Sequence, residues 1–267
     1  MTTQTSQSLR QTLLNARASG KAAFVPFVMA GDPDVATSID ILLSLQQSGA
    51  GLIELGVPFS DPVADGVTVQ KSAERALAAG ATLAGVFEML KTARKAGLHI
   101  PVCLFSYLNP IFRMGYAQFA AAAKNAGAQG ALIVDLPPET AQDYLAAMGK
   151  EGMETVFLCS PTTTPERLAL VDRSSTGFVY YVSREGVTGA QADLPASLAD
   201  RLADLRRTLS APLAVGFGIS APAHLQALID KADAVVVGSA LVKTVETEGT
   251  QAPAALAQQI KTLLSAA

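Results

Sequence analysis

Tryptophan is absent from these 267 residues, and histidine and cysteine number only two each. So small a supply of nitrogen and sulfur ligands speaks against a zinc-type centre. Cys103 and Cys159 both fall in apolar, strand-like runs and read as reduced core residues, not as a disulfide or a metal pair. No apolar run approaches the roughly eighteen residues that a membrane span needs. The first residues, Met1-Thr-Thr-Gln-Thr-Ser-Gln7, show no charged stretch followed by an apolar one, so no secretory leader is read there. A net charge of −3 leaves no basic footprint for nucleic acid. The expectation is a soluble, cytoplasmic protein of one domain over residues 1–267, with 49% hydrophobic content to build a single large core.

What is present is a strand-to-helix alternation repeated eight times. Strand-length apolar runs lie at about 23–29, 51–57, 102–107, 131–136, 155–160, 178–183, 213–217 and 234–237. They are nearly continuously hydrophobic, as parallel strands buried on both faces require. Helix punctuation separates them. Asp32-Pro33 reads as a cap followed by a first-turn proline, and Gly49 as the end of that helix. Thr82 opens a helix closed near Gly97, Thr164-Pro165-Glu166 opens another, and Ser220 and Ser239 are cap candidates after the last two strands. The Ala-rich stretches 76–87 and 120–123 read as ordinary helix surface. A helix at about 7–18 would cover the lower mouth. Eight such units favour an α/β fold, the closed (β/α)8 TIM barrel with an extra N-terminal helix. The runner-up, an open doubly wound sheet, calls for a glycine-rich turn after the first strand, and Met29-Ala-Gly-Asp-Pro33 is not one.

In such barrels chemistry sits at the C-terminal strand ends. Glu54 lies within the second strand, in the run Gly51-Leu-Ile-Glu-Leu-Gly-Val-Pro-Phe-Ser-Asp-Pro-Val-Ala-Asp-Gly66, and Asp61 and Asp65 lie on the loop beyond it. A buried carboxyl is costly when ionised, so its pKa rises toward neutrality, where it can both give and take a proton. The alternative is a structural pairing with Lys or Arg. Tyr107 and Asn109 follow the third strand, Asp135 ends the fourth, and Ser183-Arg184-Glu185 ends the sixth. His99 falls at the opposite face and His224 in the helix after the seventh strand, so Ser/His chemistry is poorly supported. Carboxylate acid–base catalysis remains. Glycine-bearing turns follow strands six, seven and eight, and the last leads into Ser239 at a helix start, the usual place for a phosphate.

These residues resemble the tryptophan synthase alpha subunit. The resemblance rests on Leu52-Ile-Glu-Leu-Gly-Val-Pro-Phe-Ser-Asp-Pro-Val-Ala-Asp-Gly66 first of all. Phe24-Val-Pro-Phe-Val-Met-Ala-Gly-Asp-Pro33, Tyr107-Leu-Asn-Pro-Ile-Phe112 and Asp135-Leu-Pro137 follow in order. Ser183-Arg-Glu-Gly-Val-Thr-Gly-Ala190, Val215-Gly-Phe-Gly-Ile-Ser220 and Gly238-Ser-Ala-Leu-Val-Lys243 complete it.

The resemblance implies retro-aldol cleavage of indole-3-glycerol phosphate, with Glu54 and Asp65 as the catalytic carboxylates and no metal. It implies an indole pocket of Phe27, Phe105, Leu132, Leu158 and Phe217 bordered by Tyr107 and Tyr180, though ordinary barrel core is the competing reading for these side chains. Gly189, Gly218, Gly238 and Ser239 would hold the phosphate, and Thr188 would meet Asp65 when the lid closes. It further implies a beta-subunit partner in an alpha2beta2 heterotetramer, facing Asp61, Asn109 and Arg184. The partner would carry pyridoxal phosphate, this chain having no cofactor of its own. Val67 stands where the family usually has proline, which predicts a looser loop and low basal activity in the free subunit. Competing readings are another sugar-phosphate isomerase or epimerase barrel, a stand-alone indole-3-glycerol phosphate lyase, and a silent regulatory partner of a beta chain.

Overall fold

The computed structural model describes residues 7–182, 196–216, 222–228 and 230–264. Arg184, Thr188, Gly189, Phe217, Gly218 and the cap candidate Ser220 lie outside them. Eight strands run in one direction and close on themselves. They are β1 (Ala23–Met29), β2 (Ile53–Gly56), β3 (Val102–Ser106), β4 (Gly130–Ile133), β5 (Glu154–Cys159), β6 (Phe178–Val182), β7 (Leu213–Gly216) and β8 (Ala234–Val237). Each pairs in parallel with its sequence neighbour, and β8 returns to pair with β1. The expected eightfold barrel is what forms, with strand ends within one to three residues of the sequence reading.

Helices take up the intervals. The helix α1 (Leu9–Ala18) precedes β1, and α2 (Val35–Gln47) follows it. Two helices follow β2, namely α3 (Val67–Ala78) and α4 (Leu83–Lys95), and two follow β3, namely α5 (Leu108–Met114) and α6 (Tyr116–Ala126). Then come α7 (Gln142–Glu151), α8 (Pro165–Ser174), α9 (Ala196–Thr208) and α10 (Pro222–Leu228), one after each of β4 to β7. After β8 lie α11 (Ser239–Glu248) and α12 (Ala252–Leu264). No helix among the described residues is long and apolar enough to cross a membrane.

Two of the cap expectations are corrected. The cap of α2 is Asp34, whose carboxylate accepts from the Thr37 N–H at 2.8 Å; Asp32 instead turns inward to an arginine, and the 32–33 peptide is cis. At α11 the cap is Gly238, and Ser239 is the first helical residue. Thr82 and Thr164 do cap their helices through their hydroxyls. The alanine-rich stretches are not plain surface either. Ala76, Ala120 and Ala123 are fully buried, because a methyl group is all that fits where these helices lie closest to the core.

Alternation along the strands divides the core in two. Phe24, Val28, Ile53, Leu55, Leu104 and their like point outward into the helix layer. Phe27, Cys103, Leu132, Val156, Phe178 and Ala214 point into the barrel. Within that inner set Phe105, Leu158 and Tyr180, near the C-terminal strand ends, are only partly buried, so the barrel opens upward.

The lower end is sealed. Leu9 and Leu13 of α1 are fully buried against the inner cluster. The Glu154 carboxylate, at the start of β5, accepts the Leu9 N–H at 2.5 Å and the Arg10 N–H at 3.1 Å, so it satisfies donors that the first helical turn leaves open. This seat requires Gly130. A Cβ there would lie 2.4 Å from the Glu154 carbonyl oxygen and 2.6 Å from Leu9 Cδ1. Gly130→Ala should therefore cost about 1–3 kcal/mol or more, since backbone must yield. Urea titration of the variant reads this directly, and an unchanged midpoint would refute it.

Candidate active site

Glu54 sits mid-strand in β2, level with Phe27 of β1 and Cys103 of β3. The pleat that sends Ile53 and Leu55 outward sends Glu54 into the barrel. It is 1% exposed, and its Oε1 has no hydrogen-bond partner. Among the described residues no arginine or lysine meets it in an ion pair, so the alternative of a paired structural charge finds no partner there. Burial alone pushes its pKa up to about 8.

Asp65 lies on the loop from β2 to α3, yet that loop folds back over the barrel mouth and leaves it only 8% exposed. Burial raises its pKa to about 6, opposed by a hydrogen bond from Tyr107. That contact was not legible in the sequence, which placed Tyr107 at the border of an apolar pocket. Tyr107 also acts as a clasp. Its hydroxyl donates to Asp65 Oδ2 at 3.1 Å and accepts the Ala64 N–H at 3.0 Å, while its ring stacks on Phe59 at 5.3 Å. Only the pairing of β2 with β3 brings the two loops together, and no local pattern announces it. Asp135 supports the same corner by accepting the Leu108 N–H at 2.6 Å.

The apolar side chains of the expected pocket do converge. Phe27 and Phe105 meet edge to face at 5.2 Å. Leu132 forms the fully buried floor, and Leu158 and Tyr180 stand above it. Burial first, then the charges of Glu54 and Asp65, raise the Tyr180 phenol well above its ordinary range. Two glycines make room. A Cβ at Gly56 would lie 2.8 Å from the Phe27 ring, and one at Gly216 only 2.0 Å from the Tyr180 hydroxyl. Gly216 thus serves the aromatic wall, a role the sequence reading did not give it.

At the end of β8, which pairs with β1, Gly238 and Ser239 begin the ten-residue α11. The first-turn N–H groups of a helix have no intrahelical acceptor and favour an anion. Lys243, one turn on, is exposed and paired with Glu246 at 2.5 Å. Asp61 and Asn109 are exposed on the loops after β2 and β3. Close to them Val63 is 76% and Phe112 is 66% exposed, an apolar rim on the same face. His99 is exposed below the barrel. Among the described residues no group of His, Cys, Asp and Glu could hold a metal ion, and no lysine is buried.

Chemically, the barrel mouth presents two carboxyls whose surroundings separate them. Near pH 7 Glu54 is protonated and Asp65 ionised, an acid and an anion facing one apolar pocket.

Both residues bind protons in the folded state that they release when unfolded. Glu54 therefore stabilises the fold most below its ordinary value of 4.5, and that contribution is lost as pH rises through about 8. Glu54→Gln should abolish this loss. Calorimetry from pH 5 to pH 9 should show the variant gaining several degrees in melting temperature over the wild type by pH 9; parallel curves would count against it. Val67, exposed at the first position of α3, occupies a place suited to proline. Val67→Pro should add about 0.4–1 kcal/mol, measured by urea unfolding, and a loss of stability would contradict that.

Comparison with known proteins agrees with this geometry. The family model for the tryptophan synthase alpha chain matches residues 13–266. The alpha chain from Laribacter hongkongensis is 48% identical over 237 residues, covering 89% of this chain and 90% of that one. The alpha chain from Burkholderia pseudomallei is 44% identical over 247 residues, covering 92% and 91%. Among solved structures, a chain of the tryptophan synthase a2b2 complex from Pyrococcus furiosus superposes with a TM-score of 0.86 at 42% identity, over 92% of this chain and 98% of that one.

Proposed function

Because the chain belongs to the tryptophan synthase alpha chain family, we infer that it works as the alpha subunit of a tryptophan synthase, cleaving indole-3-glycerol phosphate to indole and glyceraldehyde 3-phosphate. The observation that carries the mechanism is the lone buried Glu54, protonated at neutrality and aimed into an apolar pocket.

The roles follow from the two environments. Glu54 gives its proton to indole C3, and the ring becomes an electron-poor iminium. The Asp65 carboxylate accepts the indole N–H and offsets the positive charge as it develops. Glu54, now ionised, takes the proton of the glycerol hydroxyl next to the scissile bond. The C3–carbon bond breaks as that carbon becomes the aldehyde, and its electron pair restores the indole. Glu54 ends as it began. Phe27, Phe105, Leu132, Leu158 and Tyr180 would hold the ring, joined by Phe217. Gly238 and Ser239, with Gly189 and Gly218, would bind the phosphate, and Thr188 would meet Asp65 on lid closure.

The reading includes a beta subunit, to which indole passes. Support comes from the a2b2 assembly of the Pyrococcus furiosus relatives and from the rim of Asp61, Val63, Asn109 and Phe112, whose exposed apolar side chains suit a protein partner. Arg184 would join that surface. Pyridoxal phosphate would belong to the partner, in keeping with the lack of a buried lysine among the described residues. We place the reaction in the cytoplasm, on one domain spanning residues 1–267, which agrees with two buried free thiols.

Indole release from indole-3-glycerol phosphate, assayed with and without beta subunit, tests the whole reading. Its kcat/KM should rise through about pH 6 and fall through about pH 8, following Asp65 and Glu54. Glu54→Gln should cost about 10²–10⁴-fold in kcat, and Asp65→Asn should remove the acid limb. Equal activity of wild type and Glu54→Gln would sink the mechanism.

A further inference from the structure

The mechanism leaves unused a group of charges on the outer flank of the mouth. Asp32, on the turn after β1, is 2% exposed and bound side-on by Arg75 of α3, with Nε to Oδ1 at 2.8 Å and Nη2 to Oδ2 at 2.7 Å. The third nitrogen of the same guanidinium, Nη1, lies 3.5 Å from Glu246 of α11. The planar fork thus spans three elements at once, a geometry that lysine's single ammonium cannot reproduce. The turn packs tightly against the loop that follows α3. Gly31 has φ +82°, and a Cβ on it would stand 3.2 Å from the Ala81 methyl.

Both ends of the proposed site hang from these elements. Asp65 lies two residues before α3, and its carbonyl accepts the Gln70 side-chain N–H at 2.8 Å, so it moves with that helix. Gly238 and Ser239 open α11, about 10 Å along the axis from Glu246 at 1.5 Å per residue. We propose that Arg75 is a positioning residue, a strut from Asp32 to Glu246 that fixes the indole-facing Asp65 relative to the phosphate-binding start of α11. The inference deepens the functional reading above and rests on it. Through the strut, binding energy from the remote phosphate is spent on orienting Asp65, so it appears in kcat and not only in KM.

The test uses the alpha–beta complex and two substrates, indole-3-glycerol phosphate and its dephosphorylated form, indole-3-glycerol. Arg75→Lys keeps the charge and loses the fork. On the phosphorylated substrate its kcat should fall about tenfold, while on the dephosphorylated one, which has no anchor to transmit, it should fall by no more than about twofold. Glu246→Gln should show the same selective loss to a smaller degree, and it carries the test if Arg75→Lys fails to fold. Equal fold losses on both substrates, or no loss on either, would overturn the strut. A wild-type complex that releases no indole from the phosphorylated substrate would instead overturn the functional reading, so the two failures are distinct.

Discussion

A carboxyl group held in an apolar barrel with one oxygen unpartnered by protein is expensive, and much of this site is arranged around that fact. Glu54 would relax toward any water, lysine or arginine it could reach. Among the described residues it pairs with no lysine or arginine, and parallel pairing fixes it between Phe27 and Cys103, with ring and thiol on either side. The barrel supplies this environment for structural reasons, since its inward side chains must be apolar to close the core. One acidic residue placed among them is neutral at neutral pH without any dedicated partner. Asp65, eleven residues on, is raised by burial as well, but it is less deeply buried and Tyr107 donates to it, so it moves less. Two carboxyls of one segment are thereby set to different protonation states.

The sequence made the frame legible because every strand is doubly buried, and a continuous apolar run flanked by caps is a plain signal. Strand order needed nothing more than adjacency. Glu54 stood out for the same reason, as a charge inside such a run. Less visible was anything that depends on how two loops meet. Tyr107 was placed at the right end of the right strand, but its hydrogen bond to Asp65 arises from the pairing of β2 with β3 and the fold-back of a Pro- and Asp-rich loop. Asp32 looked like a helix cap because Asp-Pro commonly is one; its pull toward Arg75, 43 residues away, outweighed the local rule. Gly216 looked like a phosphate turn, and its missing Cβ proves to be the room that Tyr180 needs.

The resemblance to the tryptophan synthase alpha subunit carried the substrate, which no count of strands supplies. Physical reading and family agree on Glu54 and Asp65 by separate routes, one through desolvation and the other through motif. Where they diverge, as at Val67, the structure gives a mild position at a helix start, so the departure acts on the conformational freedom of the loop more than on any contact.

The seal made by α1 has a wider meaning. With Leu9 and Leu13 filling the lower end and Glu154 pinning the helix, the barrel is closed at that end among the described residues. An apolar product freed at its floor has no downward route. At the opposite end Tyr107 stacks on Phe59, and Val63 and Phe112 stand exposed on the loops beyond. The end of the barrel away from the chemistry is thus set by a helix that contributes none of the proposed site residues.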